Sequence, residues 1–307
     1  MTQIPFVAPL DSVHYGRVEQ VTPMVRRVIA NNPSKYSYRG TGTYIVGHGD
    51  VVVVDPGPAL DEHRDALAAA LRGERVVAIL VTHCHADHSP LSAWLANDSG
   101  APTIAFGPHG AVDLEADEDS DVKVEEAIDL AFAPQITASD GDVVVSTGAV
   151  TVRAVSTPGH TSNHLCFALE QEAALFTGDH VMGWSTTVVS PPDGDMRAYI
   201  DSLRKVAGRH DAILWPTHGN PIEDPAPFLA AYLAHRVERE EQVLAKVRGG
   251  VGSVDAIVKV LYADVREELH KAAGRSVLAH LAKLVDDGVV AVGDGAPPSL
   301  KASFHPA

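Results

Sequence analysis

Cysteine is scarce: Cys84 and Cys166 are the only two in a chain of 307 residues, and neither sits in a CxxC pair. That excludes a disulfide framework. Positive charge is scarce as well. Lys and Arg number 24 against 40 Asp and Glu, for a net charge of −16. Such a balance argues against a general polyanion binder, because nucleic-acid affinity rests on neutralised phosphates. No apolar run is long enough to span a membrane, and no membrane partner is expected. Residues 1–10 show neither the basic n-region nor the apolar h-region of a secretory signal, so a cytoplasmic location is expected. Apolar content is not lacking. At 45% hydrophobic the chain can bury a sizeable core, and its length fits two domains or one large domain with an appendage.

The charge is uneven. From residue 236 onward 10 Lys and Arg face 10 Asp and Glu, which leaves 14 against 30 before it. The densest acidic stretch, 113–129, reads as a solvated loop or exposed helix; the glycine and ligand spacing of an EF-hand are absent. Elsewhere in the first part, apolar runs bounded by Gly and Pro predict strands at 25–29, 42–47, 51–54, 76–81, 143–145, 150–155, 165–169 and 174–176. Residues 61–72 predict a helix with Leu60, Leu67 and Leu71 on one face, Asp61 as N-cap and Gly73 as its end; 90–96 predict another.

The chemistry concentrates where strands end. Strand 76–81 runs into His83-Cys84-His85-Ala86-Asp87-His88, four candidate metal ligands within six residues. His83 and His85 are two apart, so an extended backbone points both to one side and Cys84 to the other, toward the core. The same device recurs three times: Thr157-Pro158-Gly159-His160, Thr177-Gly178-Asp179-His180 and Pro216-Thr217-His218-Gly219 each follow an apolar strand. Asp55, at the end of strand 51–54, is either a turn cap or a support for a ligand. His83, His85, Asp87, His88, His160, Asp179 and His218 are too many for one tetrahedral zinc with an open position. They suit two metals: His83, His85 and His160 for the first, Asp87, His88 and His218 for the second, Asp179 shared. Two zinc ions are expected per chain, although iron and manganese take similar donors. Such a pair holds a bridging hydroxide as nucleophile, with Asp87 as the catalytic residue that orients it and later passes a proton.

Taken in order, HCHADH, TPGH, TGDH and PTHG resemble the metallo-β-lactamase superfamily. The resemblance implies an α/β fold, the αββα sandwich, with metals at one edge between two sheets. The classical β-lactamases of that superfamily carry Cys where this chain has Asp179, which instead resembles the shared ligand of the glyoxalase II and RNA-processing branches. The loop before Gly40-Thr41-Gly42-Thr43-Tyr44, the stretches 179–188 and 199–203, and Tyr232-Leu233-Ala234-His235-Arg236 resemble the β-lactamase-like protein 2 family. That resemblance implies a hydrolase domain followed by a winged-helix-like domain, and endoribonuclease activity on single strands.

The C-terminal part fits this outline. An amphipathic helix is predicted over 226–248, ended by Gly249-Gly250. Ser253 caps a second helix, Asp264 opens another, and 276–286 forms the last, followed by Gly288 and a strand at 289–292. The expected division is therefore 1–225 for the hydrolase and 226–307 for the helical linker and winged-helix-like domain. Removal of the latter is expected to leave the metal site intact and to cost solubility. Three functions follow. The first choice is a dinuclear zinc phosphodiesterase acting on single-stranded RNA. The alternative is hydrolysis of a small ester or thioester, as in glyoxalase II, and a third is a ligand-sensing regulator that reads DNA. Sequence-specific DNA binding is not expected, because 276–286 offers only His280 and Lys283 on the side taken as exposed. The oligomeric state stays open, a homo-oligomer included.

Overall fold

The computed structural model describes residues 2–7, 13–110, 127–293 and 295–307. The expectation for the acidic stretch therefore lies outside the described residues, except for its last three.

Strands β1 (Val18–Gln20), β2 (Val25–Ile29), β3 (Gly42–His48) and β4 (Asp50–Val54) form an antiparallel meander. Parallel strands β5 (Arg75–Leu80), β6 (Thr103–Ala105) and β7 (Ile136–Thr137) extend it into a seven-stranded sheet. Helices α1 (Asp61–Ala70) and α2 (Leu91–Ser99) make the crossovers before and after β5. The second sheet has the order β12-β11-β10-β9-β8, from β8 (Val143–Ser146), β9 (Thr151–Ser156), β10 (Leu165–Leu169), β11 (Ala174–Gly178) and β12 (Ile213–Pro216). Helix α3 (Met196–Ala207) links β11 to its parallel neighbour β12.

Side-chain alternation assembles the layers. In β4, Val52 and Val54 enter the core between the sheets, while Val51 and Val53 pack outward with Leu67 of α1 and Leu91 and Leu95 of α2. In β10, Leu165, Phe167 and Leu169 enter the same inner core, and Cys166 and Ala168 face α3. Both strands are buried on two faces, which is why they read as unbroken apolar runs. The result is the αββα sandwich.

Helix α4 (Pro225–Arg248) serves two cores. Its first half, with Phe228, Leu229 and Tyr232, covers the second sheet beside α3. Its second half, with Val243 and Val247, joins α5 (Val254–Leu261), α6 (His270–Asp286) and the ribbon of β13 (Val290–Val292) and β14 (Phe304–Pro306) in a separate core. This is a winged-helix unit: three helices and a two-stranded wing.

Several local expectations change. Leu60, not Asp61, occupies the N-cap of α1, with no side-chain cap bond. Asp61 is the first helical residue, where a carboxylate favours the helix N-terminus, and it pairs with Arg64 at 2.8 Å. Asp264 opens no helix. A short 3₁₀ turn, Glu267–Leu269, leads straight into α6, which begins six residues before Ser276. Ala273, Val277 and Leu281 lie at helical spacing in one buried stripe, and that stripe outweighs Ser276 as a start signal. His280 is not on an exposed side. It is fully buried, its Nδ1 3.4 Å from Glu240, while Lys283 is tied to Glu240 and Asp287. Ser253 does cap α5, accepting from the Ala256 N–H. Strands β1, β6 and β7 are too short to have carried a period.

Candidate metal centre

Four strand ends deliver the centre. Past β5, Thr82 to His88 turn across the edge of the sandwich; His160 follows β9, Asp179 follows β11 and His218 follows β12. All seven residues singled out from the sequence meet there. Three sets of donors each lie within 4.8 Å of one another: His83, His85 and His160; Asp87, His88 and His218; and His83, His88 and Asp179, which joins the two. In the first set His85 Nδ1 is 2.9 Å from His83 Nε2 and 3.3 Å from His160 Nε2. In the second, His218 Nε2 is 3.2 Å from Asp87 Oδ2. Asp179 lies between them, with Oδ1 3.4 Å from His218 Nε2 and Oδ2 3.8 Å from His160 Nε2.

Four of the ligand candidates, His88, His218, His160 and Asp87, are held from behind. The His88 Nδ1–H donates to Asp55 Oδ2 at 2.9 Å, which leaves Nε2 facing the centre. Asp55 also accepts from the Thr82 N–H and hydroxyl, both at 2.8 Å, and from the Thr217 hydroxyl at 3.2 Å. It is therefore a support for ligands rather than a turn cap, and it sits at φ +48, a left-handed conformation that Asp tolerates better than most residues. His218 Nδ1–H donates to the Gly40 carbonyl at 3.2 Å, and His160 Nδ1–H to the Val188 carbonyl at 2.7 Å. Asp87 Oδ2 accepts from the Thr41 hydroxyl at 2.8 Å. Fixing one ring nitrogen selects the tautomer whose other nitrogen presents a lone pair, the usual support of a metal-ligating histidine. His88 Nε2 and Asp179 Oδ1 are buried with no hydrogen-bond partner. Buried orphans of this kind, converging with five other candidate donors, fit a cation between them.

Charge divides the centre in two. Burial and neighbouring imidazoles push the His83 pKa well down, and burial with His160 brings His85 to about 3, so both are neutral donors. Burial opposes a charged His88, but Asp87, Asp179 and Asp55 outweigh it and lift its pKa to about 9. His218 is raised against burial by Asp179 and Asp87. Burial is outweighed at Asp87 too, where His88 and His218 hold the carboxyl at about 2.

Cys84 faces away, packed with Val81, Ala105 and Phe132. Burial pushes its thiol up to about 11, which fits no nucleophile. Sequence reading offered Asp55 as one support and missed the others. Thr82 and Thr217 immediately precede ligand histidines, and that adjacency is the signal that was available. His164 carried none: its Nδ1 meets the Thr157 hydroxyl at 2.8 Å and its Nε2 accepts the Asp179 N–H at 3.3 Å.

An open cleft leads to the donors, lined by Lys35, Tyr36, Met182, Trp184, Ser185, Thr186 and Val188. Trp184 stacks on Tyr38, centroids 4.8 Å apart.

Residues 39–218 match the Metallo-beta-lactamase superfamily, and 253–296 match the Beta-lactamase associated winged helix domain. An atrochrysone carboxyl ACP thioesterase of Aspergillus chevalieri is 33% identical over 287 residues, covering 89% of this chain and 85% of its own. Another of the same name from Emericella nidulans is 34% identical over 283 residues, covering 89% and 82%. Among solved structures, a beta-lactamase domain protein from Burkholderia ambifaria superposes with a TM-score of 0.77 at 23% identity, over 97% of this chain and 96% of that one. The fold, the donor cluster and these relatives together make the chain a hydrolase of the metallo-β-lactamase superfamily with a C-terminal winged-helix domain.

Proposed function

We propose that the chain is a dinuclear metal-dependent thioesterase that hydrolyses an acyl thioester of small-molecule or carrier type. The observation that carries this reading is the pair of thioesterases that are 33% and 34% identical across both the hydrolase and winged-helix parts. His83, His85 and His160 would hold one ion, Asp87, His88 and His218 the other, and Asp179 would face both; zinc is the first choice for such donors. When bound, two such ions supply Lewis acidity toward the acyl oxygen and acidify a water to a pKa of about 7.

The chain's own residues do the rest. Asp87 stays ionised and is oriented by Thr41, so its carboxylate accepts a proton from the attacking water. A C–O bond forms, the C–S bond breaks, and the proton ends on the leaving sulfur. Met182, Trp184 and Val188 offer the acyl chain an apolar wall. Phosphodiester cleavage of single-stranded RNA, implied by the narrower family resemblance, finds less support: among the described residues Lys35 is the one Lys or Arg lining the cleft, in a chain of net charge −16. The DNA-reading alternative also loses ground, because α6 is packed against α3, α4 and α5 and linked to α3 by Arg197–Asp287.

The test is a hydrolysis screen of acyl thioesters, lactones, a β-lactam and single-stranded RNA, with zinc-loaded, metal-stripped and Asp87→Ala protein. Thioester turnover that needs both metal and Asp87 is the expected result. RNA cleavage above the Asp87→Ala background, with no thioester turnover, would reverse the choice.

A further inference from the structure

The segment that follows Asp179 carries two supports of the metal centre, and helix α4 holds that segment. The Thr187 hydroxyl donates to the Asp179 carbonyl at 2.8 Å, and the adjacent Val188 carbonyl receives His160 Nδ1–H at 2.7 Å. Thr187 itself is 1% exposed and is gripped from α4 on both sides of its peptide group. Its N–H donates to Tyr232 Oη at 2.6 Å, and its carbonyl receives the Arg236 guanidinium. Tyr232 Oη also donates to the Ser185 carbonyl at 3.3 Å. Tyr232 and Arg236 are one helical turn apart and so act from one face.

Arg236 is the informative residue. It is 3% exposed, and no carboxylate pairs with it among the described residues. Its guanidinium lies over the rings of Tyr199, at 5.0 Å, and Tyr232, at 5.7 Å. A buried charge without a counter-charge is costly. The fold needs only apolar cover here, which Phe228 and Leu229 on the same helix already supply. What Arg236 adds is a directed bond to Thr187.

We propose that Tyr232 and Arg236 are positioning residues for the metal centre, so that the helix leading into the winged-helix unit sets the orientation of His160 and the placement of Asp179. The inference uses the metal assignment made above and is indifferent to the choice of substrate.

The experiment measures zinc affinity of the full-length chain by competition with a chromophoric chelator, next to thermal unfolding and kcat on whichever substrate is turned over. Tyr232→Phe keeps the ring and removes only the hydroxyl; Arg236→Met keeps the volume and removes the charge. Both are expected to weaken binding of at least one zinc about tenfold or more, the scale of lost outer support, while the folded state persists. Thr187→Val should do the same, and Thr187→Ser should restore affinity. His160→Ala is the control on the metal assignment and should lose a zinc outright. If His160→Ala keeps both ions, the metal reading fails and this inference with it. If His160→Ala loses zinc but Tyr232→Phe and Arg236→Met bind it as wild type does, the positioning role alone is overturned.

Discussion

Asp55 shows how one side chain can organise a centre it does not enter. Its carboxylate orients His88 and ties together Thr82 and Thr217, the residues before His83 and His218. Asp55→Asn keeps the shape, yet one of its two acceptor atoms becomes a donor. The expected result is a loss of metal affinity between about 10-fold and 100-fold, read by chelator competition. Protonation gives a second expectation. In metal-free protein, His88 rises from 6.5 to about 9, so its pairing with the carboxylates stabilises fully below pH 6.5 and is lost as pH climbs through 9. Asp87 falls from 3.8 to about 2, so its contribution holds above 3.8 and disappears as pH drops through 2. Denaturant midpoints of stripped protein should therefore decline between pH 6.5 and 9, and loaded protein should not follow. Zinc binding near pH 7 should also release protons from His88 and His218, visible as a buffer-dependent calorimetric heat. No proton release would mean that the empty centre does not hold its charges as described.

Among elements, α4 has the most to explain. Removing residues after 225 looked, on sequence alone, like an operation that spares the metal site. The bonds from Tyr232 and Arg236 to Thr187 argue the opposite: the truncated protein should aggregate and should also bind zinc more weakly than the full chain. Phe228→Ala separates the two effects. It sits in the layer under the second sheet and makes no bond to Thr187, so it should cost about 3 kcal/mol of stability while zinc affinity stays near wild type. Equal losses in affinity from Phe228→Ala and Tyr232→Phe would show that α4 acts through packing alone. Helix α6 illustrates a different limit. It begins before the expected 276 because the stripe of Ala273, Val277 and Leu281 gains meaning only with α5 beside it.

At the scale of the molecule, charge and cleft must be read together. Lys35 and Arg39, both exposed, have no carboxylate partner among the described residues, although the chain carries −16 overall. Lys35 belongs to the cleft lining, and Arg39 lies over the ring of Tyr38, 5.6 Å from its centroid. Lys35→Glu should raise KM for a thioester whose carrier arm bears a phosphate and leave kcat nearly unchanged; an uncharged arm should feel little. A fall in kcat with KM unaltered would remove Lys35 from substrate binding.

The longer strands, the four strand-end clusters and the seven residues that meet at the candidate centre could be read locally, because apolar runs and ligand spacing are signals that span fewer than ten residues. Residue types also limited the chemistry: with two cysteines in no CxxC pair and histidines clustered after apolar strands, a metal site was the expectation. Tertiary structure decided what depends on distant parts meeting. It brought His83, His160 and His218 to one edge, made Asp55 a support rather than a cap, and placed Tyr232 and Arg236 behind Thr187. Such partners are 45 and 49 residues from Thr187 in sequence, and their contact arises only when α4 closes over the second sheet. No periodicity along the chain records a hydrogen bond whose two ends are set by separate layers of the sandwich.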